Sequence, residues 1–419
     1  MKTIVNKMKR IVLLLGFSLL FSHLMAQNGE DYYMIGGVVK NARNRRTIEY
    51  VSVSAVGTNV GTITNEDGEF ILKLNDSLNV TEIEFSCLGF YNTKIPVSKQ
   101  NILNQEFFLQ PQSIPLKEIE VRSWQNALEL MEIAISKIEK NYSQTSNLLT
   151  GFYRETAQKG RRYITVSEAV VQIYKDSYKL NISNRDRVQI LKGRTLVSPK
   201  TSDTLSVKLL GGPNLAIFID IVKNPELLLD KEILPYYNYK IDNAMTINDR
   251  PQYVVKFTPQ VIQNYPLYTG TFYIDQETLA FTRAEFAMDM RDKDKVTNVI
   301  LRRKPAGLRF SPDEVSYIVS YIYQDDKSYL HYLNNKIRFK CDWKRRLFAT
   351  NYTVISELVI TDNQKENPER IAIKDSFSNN KSLSEQAMSY YDSNFWGAYN
   401  IIEPTESLES AVSKLKREE

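Results

Sequence analysis

The fold of the N-terminal part is decided by the stretch Gly61-Thr62-Ile63-Thr64-Asn65-Glu66-Asp67-Gly68-Glu69-Phe70-Ile71-Leu72. Asp67-Gly68 stands between two segments with the alternation of apolar and polar residues typical of strands that bury one face. Glycine tolerates a positive φ and aspartate favours the start of a turn, so the pattern predicts a tight hairpin.

The sequence on both sides of this stretch continues as short apolar segments separated by turn residues, a pattern that predicts a small β-sandwich. The sandwich begins near Tyr32, and Pro111 and Pro115 mark its exit into a linker strand, Leu116 to Val121. We therefore assign residues 27–122 to one domain.

Four motifs in this domain occur in a fixed order: Ile35-Gly36-Gly37-Val38-Val39, Val51-Ser52-Val53, Gly61 to Phe70, and Phe85-Ser86-Cys87-Leu88-Gly89-Phe90. Together they resemble the carboxypeptidase regulatory-like (CarboxypepD_reg-like) domain, which opens many exported proteins of Bacteroidetes-type bacteria, including TonB-dependent outer-membrane receptors. The resemblance implies a seven-stranded, transthyretin-like β-sandwich without catalytic activity.

The polar residues of the central turn have two interpretations: Asn65, Glu66, Asp67 and Glu69. Turn formation accounts for all four. A calcium site built from their oxygens is the alternative, but the spacing lacks the alternating acids and distal glutamate of an EF-hand loop. We predict no metal site.

Residues 1–26 have the pattern of a secretory signal, with a basic head, an apolar stretch from Ile11 to Phe21, and Ala26 at the end. The chain carries 54 Lys and Arg against 49 Asp and Glu, and the predicted signal contains four of these cations and no acid. Without it the protein is close to neutral. No later segment is apolar for long enough to span a bilayer as a helix, so we expect an exported protein, periplasmic or associated with the outer membrane.

Residues 123–375 read as a helix followed by a long antiparallel β-meander. Ser123 is a candidate N-cap, and apolar residues then recur at three- and four-residue spacing from Trp124 to Ile138. Long alternating segments joined by short turns such as Asp275-Gln276-Glu277-Thr278 follow, interrupted by a helical insertion after Gly211-Gly212-Pro213. The predicted fold class is therefore mainly β.

The paired segments Tyr268 to Asp275 and Leu279 to Asp289 resemble the strands of the Lol-type periplasmic lipoprotein carriers, which are half-barrels wrapped around a helix. The concave face of that superfamily binds acyl chains. The resemblance implies a lipid-binding groove lined by Phe272, Ile274, Phe281 and Phe286. The other interpretation is that these side chains are simply the core of the sheet, and the sequence does not say which face points inward.

Residues 376–419 form a loop and a tail. The stretch from Asn394 to Pro404 is too apolar to be free, so we expect it to dock on the half-barrel. Ser407 to Lys416 predicts a short amphipathic helix with an apolar side formed by Leu408, Ala411, Val412 and Leu415.

The chain has two histidines and two cysteines, and His23 lies in the predicted signal. A histidine-rich zinc site is excluded, and a Ser-His-Asp triad could use only His331, which lies in an apparent strand. Cys87 and Cys341 fall in different domains, so two buried, unpaired thiols are expected rather than a disulfide. Acids are plentiful, and a glycosidase that needs only two carboxylates remains an alternative. We predict a non-enzymatic protein with no cofactor.

Three basic clusters stand out: Arg161-Arg162, Arg302-Arg303-Lys304 and Lys344-Arg345-Arg346. Near-neutral charge and export argue against nucleic acid as a partner. Solvated strand edges are one interpretation, since charges there discourage edge-to-edge pairing. Recognition of anionic lipid head groups is the other.

These observations leave three functional hypotheses. The first is a cell-envelope protein whose sandwich is an interaction module and whose half-barrel binds a lipid, a lipoprotein or an outer-membrane partner. The second is a structural or assembly factor for a TonB-dependent surface receptor, without a small ligand. The third is a carboxylate-dependent carbohydrate-active enzyme.

Overall fold

The computed structural model describes residues 32–112, 126–179, 185–203, 205–209, 211–343, 348–364, 368–378, 383 and 395–418. The predicted signal segment, the linker strand, Ser123 and the third basic cluster lie outside these residues.

Seven strands in two sheets form the N-terminal sandwich, as predicted. They are β1 (Tyr32–Asn41), β2 (Ser52–Ala55), β3 (Gly61–Ile63), β4 (Glu69–Asn75), β5 (Glu82–Ser86), β6 (Thr93–Pro96) and β7 (Ile102–Leu109). One sheet has the order β4-β1-β7 and the other β3-β2-β5-β6. Gly37 allows β1 and β7 to pair closely, because a Cβ there would lie 2.0 Å from the Gln105 carbonyl oxygen.

The Asp67-Gly68 turn forms, but the predicted hairpin is wrong. Gly68 has φ +77° and donates its N–H to the Asn65 carbonyl. However, β3 pairs with β2 and β4 pairs with β1, so the turn carries the chain from one sheet to the other. Alternation alone does not separate the two cases, because a strand buries one face in either arrangement.

A ten-stranded antiparallel sheet forms most of the second domain. Its elements are α1 (Ala127–Ser136), α2 (Ile138–Asn141), β8 (Asn147–Lys159), β9 (Arg162–Lys175), β10 (Arg187–Val197), β11 (Lys208–Leu209), α3 (Pro213–Phe218), β12 (Tyr237–Ile247), β13 (Arg250–Pro259), β14 (Tyr268–Asp275), β15 (Phe281–Met288), α4 (Lys293–Ile300), β16 (Leu301–Arg303), β17 (Leu308–Gln324), β18 (Lys327–Trp343) and β19 (Thr350–Gln364). The order is β10-β9-β8-β19-β18-β17-β15-β14-β13-β12. Among the described residues, β10 and β12 each pair on one side only, so the sheet is an open half-barrel and not a closed barrel.

Helix α1 packs on one face of this sheet, called here the inner face. The N-cap is Asn126 and not Ser123, because the Asn126 side chain accepts the Leu128 N–H at 2.9 Å. The helix therefore begins later than the apolar spacing predicts. Its buried side chains join the main core of the half-barrel: Leu130, Met131, Ala134 and Ile135.

The strands at the centre of the sheet are covered on both faces. Phe152 and Tyr153 are consecutive in β8 and both are fully buried, but Tyr153 belongs to the inner core and Phe152 to a second core on the outer face. The sandwich contributes Ile63 to this outer core. Both domains therefore share buried apolar surface.

The C-terminal segment completes the outer core. Phe395, Trp396, Ile401 and Ile402 pack there between the sandwich and the half-barrel. Helix α5 (Glu406–Glu418) continues the segment and buries its apolar side on β9 and β10. The last forty residues thus include the piece that joins the two domains.

Candidate functional site

The four side chains predicted from the sequence all lie on the inner face. Phe272 stacks on Phe257 with ring centroids 4.5 Å apart and contacts Phe281 edge-on at 5.7 Å. Phe286 stacks on Tyr317 at 5.0 Å, and Ile274 is fully buried in the same core. The described contacts of these residues are with protein side chains, and their role in binding a ligand stays a prediction.

The inserted segment after β11 shares the inner face with α1. Helix α3 and the residues that follow it contribute buried apolar side chains to the same core: Ala216, Ile217, Ile219, Ile221, Val222, Leu228 and Leu229. Pro213 at the start of α3 and Pro225 at the start of a 3-10 turn fit the predicted helical insertion.

A buried carboxylate, Asp220, fixes this insertion to the sheet. Its oxygens accept hydrogen bonds from the Tyr178 hydroxyl at 2.8 Å and the Tyr321 hydroxyl at 2.7 Å. The Lys175 ammonium lies 2.8 Å from Asp220 and 2.6 Å from Asp186. These groups come from three separate stretches of the chain, 175–186, 220 and 321, so the cluster is a cross-link made by tertiary structure.

Asp220 and Lys175 are both charged in this cluster. Burial opposes the charge on Asp220, but the Lys175 ammonium and the tyrosine hydroxyls outweigh it and lower the pKa of the carboxyl. The pKa of Lys175 is raised, because the two aspartates outweigh its burial. A carboxylate held by three donors is a structural anchor.

A pocket of about 250 Å³ opens at one end of the half-barrel. Two loops form it: the β13–β14 connection and the segment between β15 and α4. Its apolar lining includes Val261, Ile262 and Leu267. Leu267 belongs to the inner core, and Val261 packs against that core. Ile262, by contrast, is 86% exposed at the lip.

Aromatic side chains lie behind this pocket. Tyr268 follows Leu267 and meets Phe286 edge-on at 5.5 Å and Tyr317 at 6.3 Å. The predicted residue Phe286 is thus one aromatic contact away from the pocket wall. An apolar surface therefore continues from the exposed lip into the inner core.

Charged side chains surround the outer part of the pocket. Arg291 pairs with Asp289 through its Nε at 2.6 Å, and the Lys295 ammonium lies 3.4 Å from Asp292. The cation and the acid of each pair both line the pocket. An apolar wall below a charged rim matches a molecule that is apolar at one end and polar at the other.

Sequence reasoning missed the pocket residues. The signal was present in the β13–β14 connection, where Ile262 and Tyr265 stand in the polar, proline-containing stretch Gln260 to Pro266. Large apolar residues at the tip of a connection have little core to join, and they often mark an interaction surface.

His331 lies on the outer face of β18, beside two small pockets between the sandwich and the sheet. Burial lowers its pKa to about 4, and its Nε2 is buried with no hydrogen-bond partner among the described residues. A histidine that stays neutral in a strand agrees with the interpretation from the sequence. Cys87 and Cys341 are free thiols.

The described residues contain no cluster of three or more potential His, Cys, Asp or Glu metal ligands. The helices in the same part of the chain are all too short or too polar to cross a bilayer.

One family model matches the sequence of the sandwich. The model described as the CarboxypepD_reg-like domain matches residues 35–121. Residues 35–121 are a CarboxypepD_reg-like domain. This confirms the resemblance based on the ordered glycine motifs, and the CarboxypepD_reg-like domain has the seven strands that the resemblance implies. No curated protein matches the chain.

Solved structures similar to the chain include a protein described as an outer membrane lipoprotein-sorting protein domain from Vibrio parahaemolyticus, with 12% identity, a TM-score of 0.26, and coverage of 58% of this chain and 95% of that one. A DUF1329 family protein from Desulfovibrio piger has 10% identity, a TM-score of 0.24, and coverage of 56% and 93%. A LolA superfamily protein from Nitrosomonas europaea has 14% identity, a TM-score of 0.18, and coverage of 57% and 94%.

Proposed function

We propose that this chain is a non-enzymatic protein of the cell envelope whose half-barrel binds one acyl chain of a lipid or lipoprotein in the pocket between the β13–β14 connection and α4. One observation carries the proposal: the exposed Ile262 forms the lip of an opening whose wall, Leu267, belongs to the inner core.

The energetic argument concerns the exposed apolar lip. Full burial of an isoleucine side chain contributes roughly 1.5–3 kcal/mol. Ile262 contributes almost none of this in the free protein, because it is exposed. Tyr265 beside it is also exposed. A ligand that covers both side chains gains this free energy on binding.

The size and the charges of the pocket support an amphiphile. Its volume of about 250 Å³ is somewhat below the roughly 300–1,000 Å³ usual for sites of drug-sized ligands. This suits the end of one chain rather than a whole two-chain lipid. The ion pairs of Arg291 and Lys295 leave donors and acceptors at the opening for a polar head group.

Ion pairing of three acids of the half-barrel supports a non-catalytic role for these three. Asp220 is held by Lys175 and two tyrosines, and Glu168 is held between Arg154 and Arg194. At the pocket, Asp289 is paired with Arg291. A glycosidase needs one acid that can be protonated and one free carboxylate beside it, and ion pairs of this kind work against both states. The receptor partner expected from the sequence stays a prediction.

The test is titration of the purified full chain with a fluorescent fatty acid. We expect saturable binding, which Ile262→Asp weakens at least tenfold because a charge at the lip must be desolvated. Ile373→Asp is the matched control, since Ile373 is also highly exposed but lies outside the pocket. Saturable binding that Ile262→Asp leaves unchanged places the ligand elsewhere, and no binding by the wild type contradicts the proposal.

A further inference from the structure

The structure brings basic segments that are distant in sequence to one end of the half-barrel. The β8–β9 turn carries Arg161 and Arg162, and the β16–β17 connection carries Arg302, Arg303 and Lys304. The pairing registers Lys159↔Tyr352, Tyr352↔Phe339 and Phe339↔Pro312 align these strand ends across the sheet. We call this surface the basic end.

Cations outnumber acids at the basic end. Segments 159–162, 198–209, 301–309, 342–343 and 348–350 contain nine Lys and Arg against two Asp and no Glu, and segment 289–295, at the same ends of the strands, adds three cations and three acids. Of the two Asp in the first five segments, Asp203 is buried and pairs with Lys159 and Arg162. Arg161, Arg303 and Arg309 are exposed. Without the predicted signal, the numbers of cations and acids in the whole chain are nearly equal. The basic end therefore has a higher proportion of cations than the rest of the protein.

Exposed apolar side chains accompany these cations. Phe348, just before β19, is 82% exposed. Val197, the last residue of β10, is 48% exposed at the same end of the sheet, because it pairs with Thr165 near the start of β9. Basic side chains interspersed with exposed apolar ones are typical of surfaces that lie on a lipid head-group layer.

The opposite end of the sheet has acidic turns and carries the other domain. Asp325-Asp326 joins β17 to β18, and Glu277, which pairs with Arg250, lies in the turn between β14 and β15. The CarboxypepD_reg-like domain contacts the sheet towards this end: Asn92 donates its N–H to Asp249 at 3.0 Å, and Gln324 donates to the Thr58 carbonyl at 3.1 Å. The described contacts of that domain therefore leave the basic end uncovered.

We propose that the basic end docks on an anionic lipid surface, with the arginines at the head groups and Phe348 inserted at their boundary with the acyl chains. The argument is charge complementarity together with exposed apolar side chains at the same strand ends. The acyl-chain pocket has different lining residues but lies at the same end of the sheet, and α4 runs from the pocket lining at Lys295 to the basic segment at Leu301. Docking would bring the pocket close to the membrane.

The experiment is co-sedimentation of the full chain with vesicles. Vesicles of phosphatidylglycerol and phosphatidylcholine are compared with vesicles of phosphatidylcholine alone, at low and at high salt. We expect binding to the anionic vesicles that weakens as salt screens the charges. The variant Arg161→Gln/Arg303→Gln/Arg309→Gln should lower the partition coefficient roughly 100-fold, since each cation near an anionic surface contributes about 1 kcal/mol.

The matched control is Arg43→Gln/Arg45→Gln/Arg46→Gln, which removes three exposed arginines from one turn of the sandwich. It should leave vesicle binding unchanged. Phe348→Ser should weaken binding and leave its salt dependence intact. Equal binding to neutral vesicles, an unaffected basic-end variant, or binding of soluble polyphosphate without binding of vesicles would overturn the proposal. The fatty-acid titration measures binding in the pocket, and vesicle co-sedimentation measures docking of the basic end. Failure of one proposal is therefore distinguishable from failure of the other.

Discussion

At the scale of single residues, the insertion on the inner face depends on Asp220. The segment around it is apolar, but this one carboxylate joins it to β9 through Lys175 and to β17 through Tyr321. Removal of one partner of a buried ion pair leaves the other charge without compensation, and this costs far more than the net contribution of the pair.

We therefore predict that Asp220→Asn lowers the free energy of unfolding by about 3 kcal/mol, measured by urea denaturation. Asp242→Asn is the control, because the Asp242–Lys256 pair is largely exposed and such pairs contribute at most about 1 kcal/mol. Equal effects of the two substitutions would contradict the assigned role of Asp220.

The pKa of Asp220 is lowered on folding, which sets the pH range of this contribution. The stabilisation is fully present above the pKa of an unfolded aspartate, about 3.9. It is lost as the pH falls from there through the lower pKa of the folded state. The difference between Asp220→Asn and the wild type should thus be constant from neutral pH down to mildly acidic pH.

The sequence contains one sign of this anchor, an acidic residue inside an apolar stretch. Asp220 interrupts the apolar stretch Leu215 to Val222, and an acid in such a stretch requires a partner if it is buried. Lys175 is distant in sequence, so the partner could not be identified without the fold. Alternation places Phe272 and Ile274 on one face without saying which face points inward, and Phe281 shares a face with Phe286 only because of a bulge in the β14–β15 pairing. The pocket depends on two loops whose meeting no periodic pattern encodes.

At the scale of elements, the segment from Phe395 to Pro404 holds the domains together through specific hydrogen bonds. The Asn400 side chain accepts the Lys73 N–H at 2.7 Å and donates to the Lys73 carbonyl at 3.1 Å, as a neighbouring strand would. Thr62 donates its hydroxyl to the Ile401 carbonyl at 2.9 Å, and Arg154 donates to the Ile402 carbonyl at 2.7 Å. The exposed edge of β4 is thereby covered.

Glu403 makes the docking of this segment sensitive to pH. Burial raises the pKa of its carboxyl to about 7; the cations Arg154 and Lys73 oppose this shift, and the acids Glu168 and Glu69 add to it. The folded state therefore binds the proton more tightly than the unfolded state. The resulting stabilisation is fully present below the pKa of an unfolded glutamate, about 4.3, and is lost as the pH rises through about 7.

We predict that Glu403→Gln has a melting temperature that changes less across pH 7 than that of the wild type, and that it is more stable than the wild type on the alkaline side. Thermal unfolding followed by circular dichroism measures both. Glu409→Gln, on an exposed residue of α5, is the control and should keep the wild-type profile. The role of Glu403 is contradicted when its variant also keeps that profile.

Strand prediction succeeded where one face of a strand alternates clearly. Tyr268 to Asp275 is β14 as the structure has it, and Leu279 to Asp289 contains β15, Phe281–Met288. Strands β10 and β12 escaped prediction. They are the two edges of the sheet, where exposed polar side chains interrupt the alternation, and β12 also carries a bulge between Asp242 and Met245.

At the scale of the whole molecule, the two domains form one unit because the C-terminal segment fills the space between them. Ile63 from the sandwich and Phe152 from the half-barrel both contact the outer core that this segment completes. Trp396 meets Phe152 edge-on at 5.3 Å. Loss of the segment would expose apolar surface on both domains.

We predict that deletion of residues 395–418 divides thermal unfolding into two transitions, one for each domain, where the full chain shows one. Differential scanning calorimetry is the measurement. Deletion of α5 alone, which packs on β9 and β10 of one domain, should retain a single transition. A single transition after the longer deletion would mean that direct contacts between the domains are sufficient to couple them.

The position of this segment also has a consequence for biogenesis. Residues 395–402 leave the ribosome after both domains. Until then, the outer core around Ile63 and Phe152 lacks the side chains that cover it. The period between synthesis of the half-barrel strands and arrival of residues 395–402 is therefore a time at which this apolar surface is open to aggregation.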